Sequence, residues 1–243
     1  MKKKNIDDNS KYSYAIGLHQ ATSFLVNRSD VVEELLIRED INDKLGTILL
    51  EEYAKEKNIK VRVLSKDEMS IIDKNKKHIV KIRKYKDIID ADKPHIVFEK
   101  SSIAGNIGNI IRTSVCLGIR DIALINPLFD PFDKECIITS MDCFAKAHIQ
   151  IFNDINEYIK AYPEHKLYLF MIDANKTLDE VIRKKIPKKY SLVFGNEVNG
   201  LPSEYSKLGQ SIVIPMQEDV DSINVVTAAG IGIYEFVNKS YNK

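Results

Sequence analysis

One feature limits the possible folds of this chain more than any other. After Pro94, short apolar runs of strand character alternate with stretches of helical spacing. The runs are Ile96–Glu99, Ile122–Asn126, His148–Phe152, Leu167–Ile172, Leu192–Phe194 and Ile212–Pro215. Continuous apolar strands separated by helices imply an α/β fold, an open, mostly parallel sheet with helices on both faces. In such sheets ligands bind in the loops at the carboxyl ends of the strands.

The polar stretch Asp87–Pro94 divides the chain. Before it the pattern suggests a smaller α/β unit, with strands over Val31–Ile37, Ile59–Leu64 and His78–Ile82. Helices are expected over Leu45–Lys57, where Leu45, Ile48, Leu49 and Tyr53 share a face, and over Lys66–Asp73. Residues 1–11 are polar and expected to be a flexible tail. The domains expected are thus 12–90 and 94–243.

Bulk properties exclude several classes. A net charge of +1 announces no global attraction to nucleic acid, so any basic surface is local. The basic N-terminus has no apolar region behind it, and no apolar run approaches a membrane span, which points to a cytoplasmic protein without a membrane partner. Cys116, Cys136 and Cys143 form no metal spacing, so no metal is expected. The P-loop and the GxGxxG fingerprint are both absent. A nucleoside cofactor would have to be held some other way.

Three segments carry polar residues at strand ends. Ser102–Gly118 follows a strand, with Asn106 placed to cap a helix whose apolar face is Ile107, Ile110, Ile111 and Val115. Arg112 lies off that face, and Gly118 ends the helix. Leu192–Pro202 runs from a buried strand into a turn containing Gly195 and Gly200, where glycine lets a ligand approach the backbone. In Ile212–Gly230 a strand ending at Pro215 leads through an acidic loop to Ser222, placed to cap a long helix over Ile223–Val237. Each segment alone is as well explained by ordinary caps and turns.

As an ordered set they resemble the motifs of the SpoU, or TrmH-like, family of RNA 2′-O-methyltransferases. Asn106–Ser114 is similar to the first motif, Phe194–Pro202 to the second, and Ile214–Met216 with Ser222–Val225 to the third. Val226 stands where the family often has a second serine, and Ile223 where it often has leucine. The resemblance implies a C-terminal trefoil knot, a homodimer and S-adenosyl-L-methionine as cofactor. Cofactor contacts would come from Phe194, Gly195, Asn196, Gly200, Leu201, Ile214, Pro215, Met216, Ser222, Ile223 and Asn224.

The implied catalytic residues are Asn106, Arg112, Glu197, Ser222 and Asn224. A free guanidinium has a pKa of about 12.5 or higher, so Arg112 is expected to act as a charge at the acceptor ribose or its phosphate rather than as a base. Asn106, Ser222 and Asn224 would orient Arg112 and the acceptor. Glu197 would position these groups or accept a proton.

Residues 12–90 resemble, less sharply, the L30e-like RNA-binding domain found ahead of many such catalytic domains. The acid-free run Lys74, Lys76, Lys77, Lys81, Arg83, Lys84, Lys86 suits phosphate contact, and Lys76, Lys77, Lys81, Arg83 and Lys84 join Arg112 as expected RNA contacts. Ribosomal RNA (23S) is the expected substrate. The alternatives are transfer RNA, methylation of a base nitrogen, and an RNA-binding protein without turnover.

Overall fold

The structure is a computed structural model and describes residues 11–42, 44–217 and 219–241. The expected tail, residues 1–11, falls almost entirely outside them. Along the chain run β1 (Tyr12–Ile16), α1 (Leu18–Asn27), β2 (Val32–Arg38), α2 (Lys44–Glu56), β3 (Lys60–Leu64), α3 (Lys66–Ser70), β4 (His78–Arg83), β5 (His95–Glu99) and α4 (Ala104–Cys116). There follow β6 (Asp121–Ile125), α5 (Lys134–Thr139), β7 (His148–Phe152), α6 (Ile155–Ala161), β8 (Lys166–Phe170), α7 (Leu178–Ile182), β9 (Tyr190–Phe194), β10 (Gln210–Ile212) and α8 (Val225–Tyr241).

The chain folds as two compact units. The first takes residues up to Tyr85 together with Asp130–Lys146. Its sheet has the order β1-β4-β2-β3, antiparallel except for the β2–β3 pair. The β1–α1 connection, which no residue pattern marked in advance, turns at Gly17 with φ 115°. A small core of Ile16, Leu36, Leu64, Met69 and Ile79 holds the unit. The segment Asp130–Lys146 is fastened to it by side chains. Ser13 Oγ donates to the Phe132 carbonyl (2.6 Å) and Ser23 Oγ to that of Asp142 (2.5 Å). A piece of chain from beyond the expected boundary thus belongs to the first unit.

The second unit is built on six parallel strands in the order β10-β8-β9-β5-β6-β7. Every residue of β5, β6 and β9 is buried, which is why they read as unbroken apolar runs. One face carries Val97, Ala123, Val193 and Leu169 against Tyr158 and Tyr162 of the α6 region. On the other face Phe98 stacks on Phe194 (5.5 Å between ring centres), and Phe236 of α8 packs edge-on against Tyr168 (4.7 Å). Chain order reverses between β5 and β9, so their carboxyl ends bound a crevice. No described helix is long and apolar enough to cross a membrane.

The amino ends of the strands hold a buried polar cluster. His95 Nε2 donates to the Asp90 carbonyl (2.8 Å), its Nδ1 meets the Tyr158 hydroxyl (2.9 Å), and Tyr158 meets Ser191 (2.6 Å). His165 stacks on His95 at 4.1 Å and reaches the same serine (3.0 Å). Burial pulls His95 down from 6.5 to about 4, and His165 in the same direction. Between those values the unfolded chain binds a proton that the folded chain refuses. The stability tied to His95 is therefore complete above pH 6.5 and lost as pH falls toward 4, by about 3 kcal/mol. Urea denaturation across this range should show the decline, and a His95→Gln protein should lose most of that slope.

Candidate active site

At the carboxyl end of the sheet, the loops after β5 and β9 are tied together by one carboxylate. Glu197, half-buried, accepts from Ser102 N (3.2 Å), Ser102 Oγ (3.0 Å), Ile103 N (3.4 Å), Asn106 Nδ2 (3.5 Å) and Asn196 Nδ2 (3.4 Å). It therefore takes up the N–H groups of the two residues leading into α4, near the helix end whose dipole favours negative charge. This corrects the expectation that Asn106 caps the helix. Ile103 is the N-cap, without a side-chain bond, and Asn106 lies a turn inside. A distant carboxylate instead holds the residues that lead into the helix.

Burial alone pushes the Glu197 carboxyl up. Backbone N–H groups at Glu197 and Ser102, with the Ser102 and Asn106 side chains, outweigh it and hold the group below the usual carboxylate range. A carboxylate so occupied is a positioning group and a poor proton acceptor.

The loop after β9 is closed on itself. Gly200 N donates to Asn196 O (2.9 Å), and Asn196 Oδ1 accepts from Val198 N (2.9 Å) and Asn199 N (3.3 Å). The outer amide hydrogen of Asn196 goes to the Lys100 carbonyl (2.8 Å). Gly195 is enclosed so tightly that a Cβ there would lie 2.1 Å from the Gly200 carbonyl carbon. Gly200 takes φ 65°, the left-handed region.

A cleft of about 190 Å³ lies against this loop. Phe194, Gly195, Asn196, Gly200, Ile214 and Met216 line it, as the sequence leads one to expect, and so do Ser222 and Ile223. Leu201, Pro215 and Asn224 are not among its walls. The floor that sequence reasoning missed is the end of β8, Phe170–Ile172, with Val213, Val225 and Ala228. Nothing polar marks those positions.

The third segment also departs from expectation. The strand stops at Ile212 rather than Pro215. Val213 bonds instead to the chain at Lys176 and Leu178, so Ile214–Met216 leave the sheet, and Ile214 and Met216 line the cleft. Proline at 215, lacking an N–H, could not have continued the ladder. Ser222 does not cap α8. Asn224 does, with Oδ1 accepting from Val226 N (2.8 Å), and the helix begins at Val225.

Arg112 is exposed on α4, outside the cleft lining, with no hydrogen bond or ion pair to any described residue. Asn106 bonds to Glu197 and not to Arg112, so the expected orienting contact is absent.

The basic residues of the first unit do not form one patch. Lys84 is ion-paired with Asp130, Lys77 lies 3.9 Å from Asp40, and Arg83 lies 3.5 Å from Glu33. Lys81 covers the Tyr12 ring at 4.2 Å. Lys76 is exposed and, with Lys77, lines a hollow beside Gly17 and His19.

The chemistry of the cleft limits its ligand. Among the described residues its walls carry no lysine or arginine, and Glu197 is their one charged side chain. A phosphate-bearing cofactor would find no countercharge there. A phosphate-free nucleoside carrying a sulfonium cation suits apolar walls, free backbone groups and one acid. No cluster able to hold a metal ion occurs among the described residues.

Comparison with known proteins agrees. Residues 93–234 match the model of the SpoU rRNA Methylase family. The chain belongs to this family. It is an S-adenosylmethionine-dependent RNA methyltransferase. A tRNA (cytidine(34)-2′-O)-methyltransferase of Saccharophagus degradans is 31% identical over 145 residues, 58% of this chain and 92% of that protein. A 23S rRNA (adenosine(1067)-2′-O)-methyltransferase of Streptomyces azureus is 23% identical over 60% of this chain and 54% of its own length. The solved SpoU methyltransferase AviRb of Streptomyces viridochromogenes, in complex with AdoMet, has the same fold. Its TM-score is 0.81 at 18% identity, over 95% of this chain and 91% of that one.

Proposed function

We propose that this family member methylates the ribose 2′-hydroxyl of a transfer RNA. The ribose reading is supported by the 2′-O-methyltransferase names of the relatives, and the Glu197 hydrogen bonds hold the first motif beside the cleft. Transfer RNA replaces the ribosomal RNA expected from sequence, because the relatives of higher identity carry tRNA (cytidine(34)-2′-O)-methyltransferase names. One observation favours a second reading, ribosomal RNA. The Streptomyces azureus relative is named for 23S rRNA.

When bound, S-adenosylmethionine supplies a methyl group already electrophilic enough for transfer. The protein must place and polarise the acceptor oxygen. Arg112, a fixed cation without a competing partner, stabilises charge growing on the 2′-oxygen or binds the adjacent phosphate. Glu197 and Asn106 fix the start of α4, the helix that carries Arg112. Ser222 offers its hydroxyl at the cleft wall, while Asn224 acts through the helix it caps.

The resemblance extends the reading to a trefoil knot around these loops and to a homodimer. Exposed Ile231 and Tyr234 on α8 suit burial against a second copy. In the first unit, read as L30e-like, Lys76 and Lys77 are the phosphate contacts best placed to serve. Incubation with labelled cofactor and separated RNA fractions tests the substrate. Label is expected in transfer RNA. Label confined to 23S RNA would establish the second reading instead.

A further inference from the structure

A second cleft, of about 460 Å³, opens in the same unit at the carboxyl ends of β5, β6 and β7. Its walls include Glu99, Lys100, Asn126, Asn153 and Tyr205. Lys100 stands two residues before the Ser102 that Glu197 holds, and its carbonyl accepts from Asn196. The cleft is thus joined through the backbone to the cofactor loop, yet it shares no wall residue with the cofactor cleft.

Its distinctive member is Glu99, the last residue of β5. The residue is 4% exposed, and its Oε2 is fully buried with no hydrogen-bond partner. The other oxygen faces the Lys100 ammonium at 3.8 Å. Burial holds the carboxyl above its ordinary range, against the opposing pull of Tyr205 and Lys100. Leaving a buried acceptor unmet costs about 1–3 kcal/mol, and the donors beside this carboxyl, the Tyr205 hydroxyl and the Lys100 ammonium, leave Oε2 without a bond. Asn126 beside it takes φ 42°, and its side-chain amide forms no hydrogen bond to the described residues. Asp154 is already committed as the N-cap of α6, accepting from Asn156 N and Glu157 N.

A ligand that brings an N–H donor to this unmet carboxylate oxygen and a polar edge to the Asn126 amide would complete the cleft. No group of described residues here is arranged to hold a metal ion. A planar heterocycle with a donor edge fits, and the cleft is of the size that small planar ligands occupy. We infer that this cleft takes a nucleobase of the RNA, one flanking the nucleotide that is methylated, with Glu99 accepting from its N–H edge and Asn126 reading a second position. Glu99 is then a specificity-determining residue and not a catalytic one. The inference rests on the reading that the substrate is RNA.

The test is a random-sequence RNA pool incubated with labelled cofactor and the full chain, followed by sequencing of the methylated molecules. Wild-type protein is expected to prefer, by about tenfold, a base with an amino or imino donor at one fixed offset from the methylated nucleotide. Glu99→Ala should reduce that preference to less than about twofold, with cofactor affinity unchanged. Glu99→Gln, which keeps the shape but offers a donor, should move the preference toward a base with an acceptor there. Asn126→Gly keeps the left-handed backbone and should weaken the preference even if the Glu99 variants fold poorly. Wild-type methylation without any flanking preference, or the same preference in folded Glu99 and Asn126 variants, overturns the inference while leaving the RNA reading intact. No methylation and no retention of RNA by the wild-type protein overturns both.

Discussion

A Gly195→Ala protein is expected to lose S-adenosylmethionine affinity by about 100-fold or more and to melt at a lower temperature. The added methyl would stand 2.1 Å from the Gly200 carbonyl carbon, 2.3 Å from Leu201 N and 2.4 Å from Gly200 O. All three are backbone atoms, so no side chain can swing aside. The Asn196–Gly200 pair that closes the loop has to open, and the cleft wall goes with it. Forced overpacking of this kind costs about 1–3 kcal/mol, occasionally more. Gly200 provides the control. It has φ 65° but open space around its missing side chain, so Gly200→Ala should cost only about 1–2 kcal/mol of backbone strain. Calorimetric titration of cofactor into both proteins, with their melting curves, checks the contrast. Equal binding by Gly195→Ala and wild type would show that the loop is not the cofactor's wall.

Arg112→Ala should reduce the turnover rate by about 100- to 1,000-fold, the usual cost of removing a group that stabilises a developing oxyanion. Cofactor affinity and stability should be unchanged, because Arg112 is exposed, lies outside the cleft lining and bonds to no described residue. Arg112→Lys retains the charge but not the planar fork, and should recover only part of the rate. Single-turnover methyl transfer under saturating cofactor measures this. A large rise in KM at constant kcat would assign Arg112 to RNA binding alone.

The architecture of the second unit was legible because β5, β6 and β9 are buried on both faces and so spell continuous apolar runs. The glycine turn after β9 was legible for a similar reason, since backbone geometry leaves a mark in residue type. Longer-range effects left none. The lead-in to α4 is held by Glu197 across more than ninety residues of chain, and Asn106, the nearest polar residue, turns its side chain to that carboxylate instead of capping the helix. The floor at Phe170–Ile172 looks like any strand end.

The basic run follows the period of its strand. Lys81 and Arg83 alternate with the buried Val80 and Ile82, which is the period of a strand with one wet face. Their charges are largely met by Tyr12 and Glu33. Nor did local pattern reveal that Asp130–Lys146 packs with the first unit, because those contacts depend on Ser13 and Ser23 far upstream.

The most direct measurement is the chemical identity of the product. RNA treated with the protein and isotope-labelled S-adenosylmethionine can be digested to nucleosides and separated by mass. The label should appear on a ribose, as a 2′-O-methylnucleoside, and should be almost absent when Arg112→Ala replaces the wild-type protein. Label carried on a base, or transfer undiminished in the variant, would contradict the account.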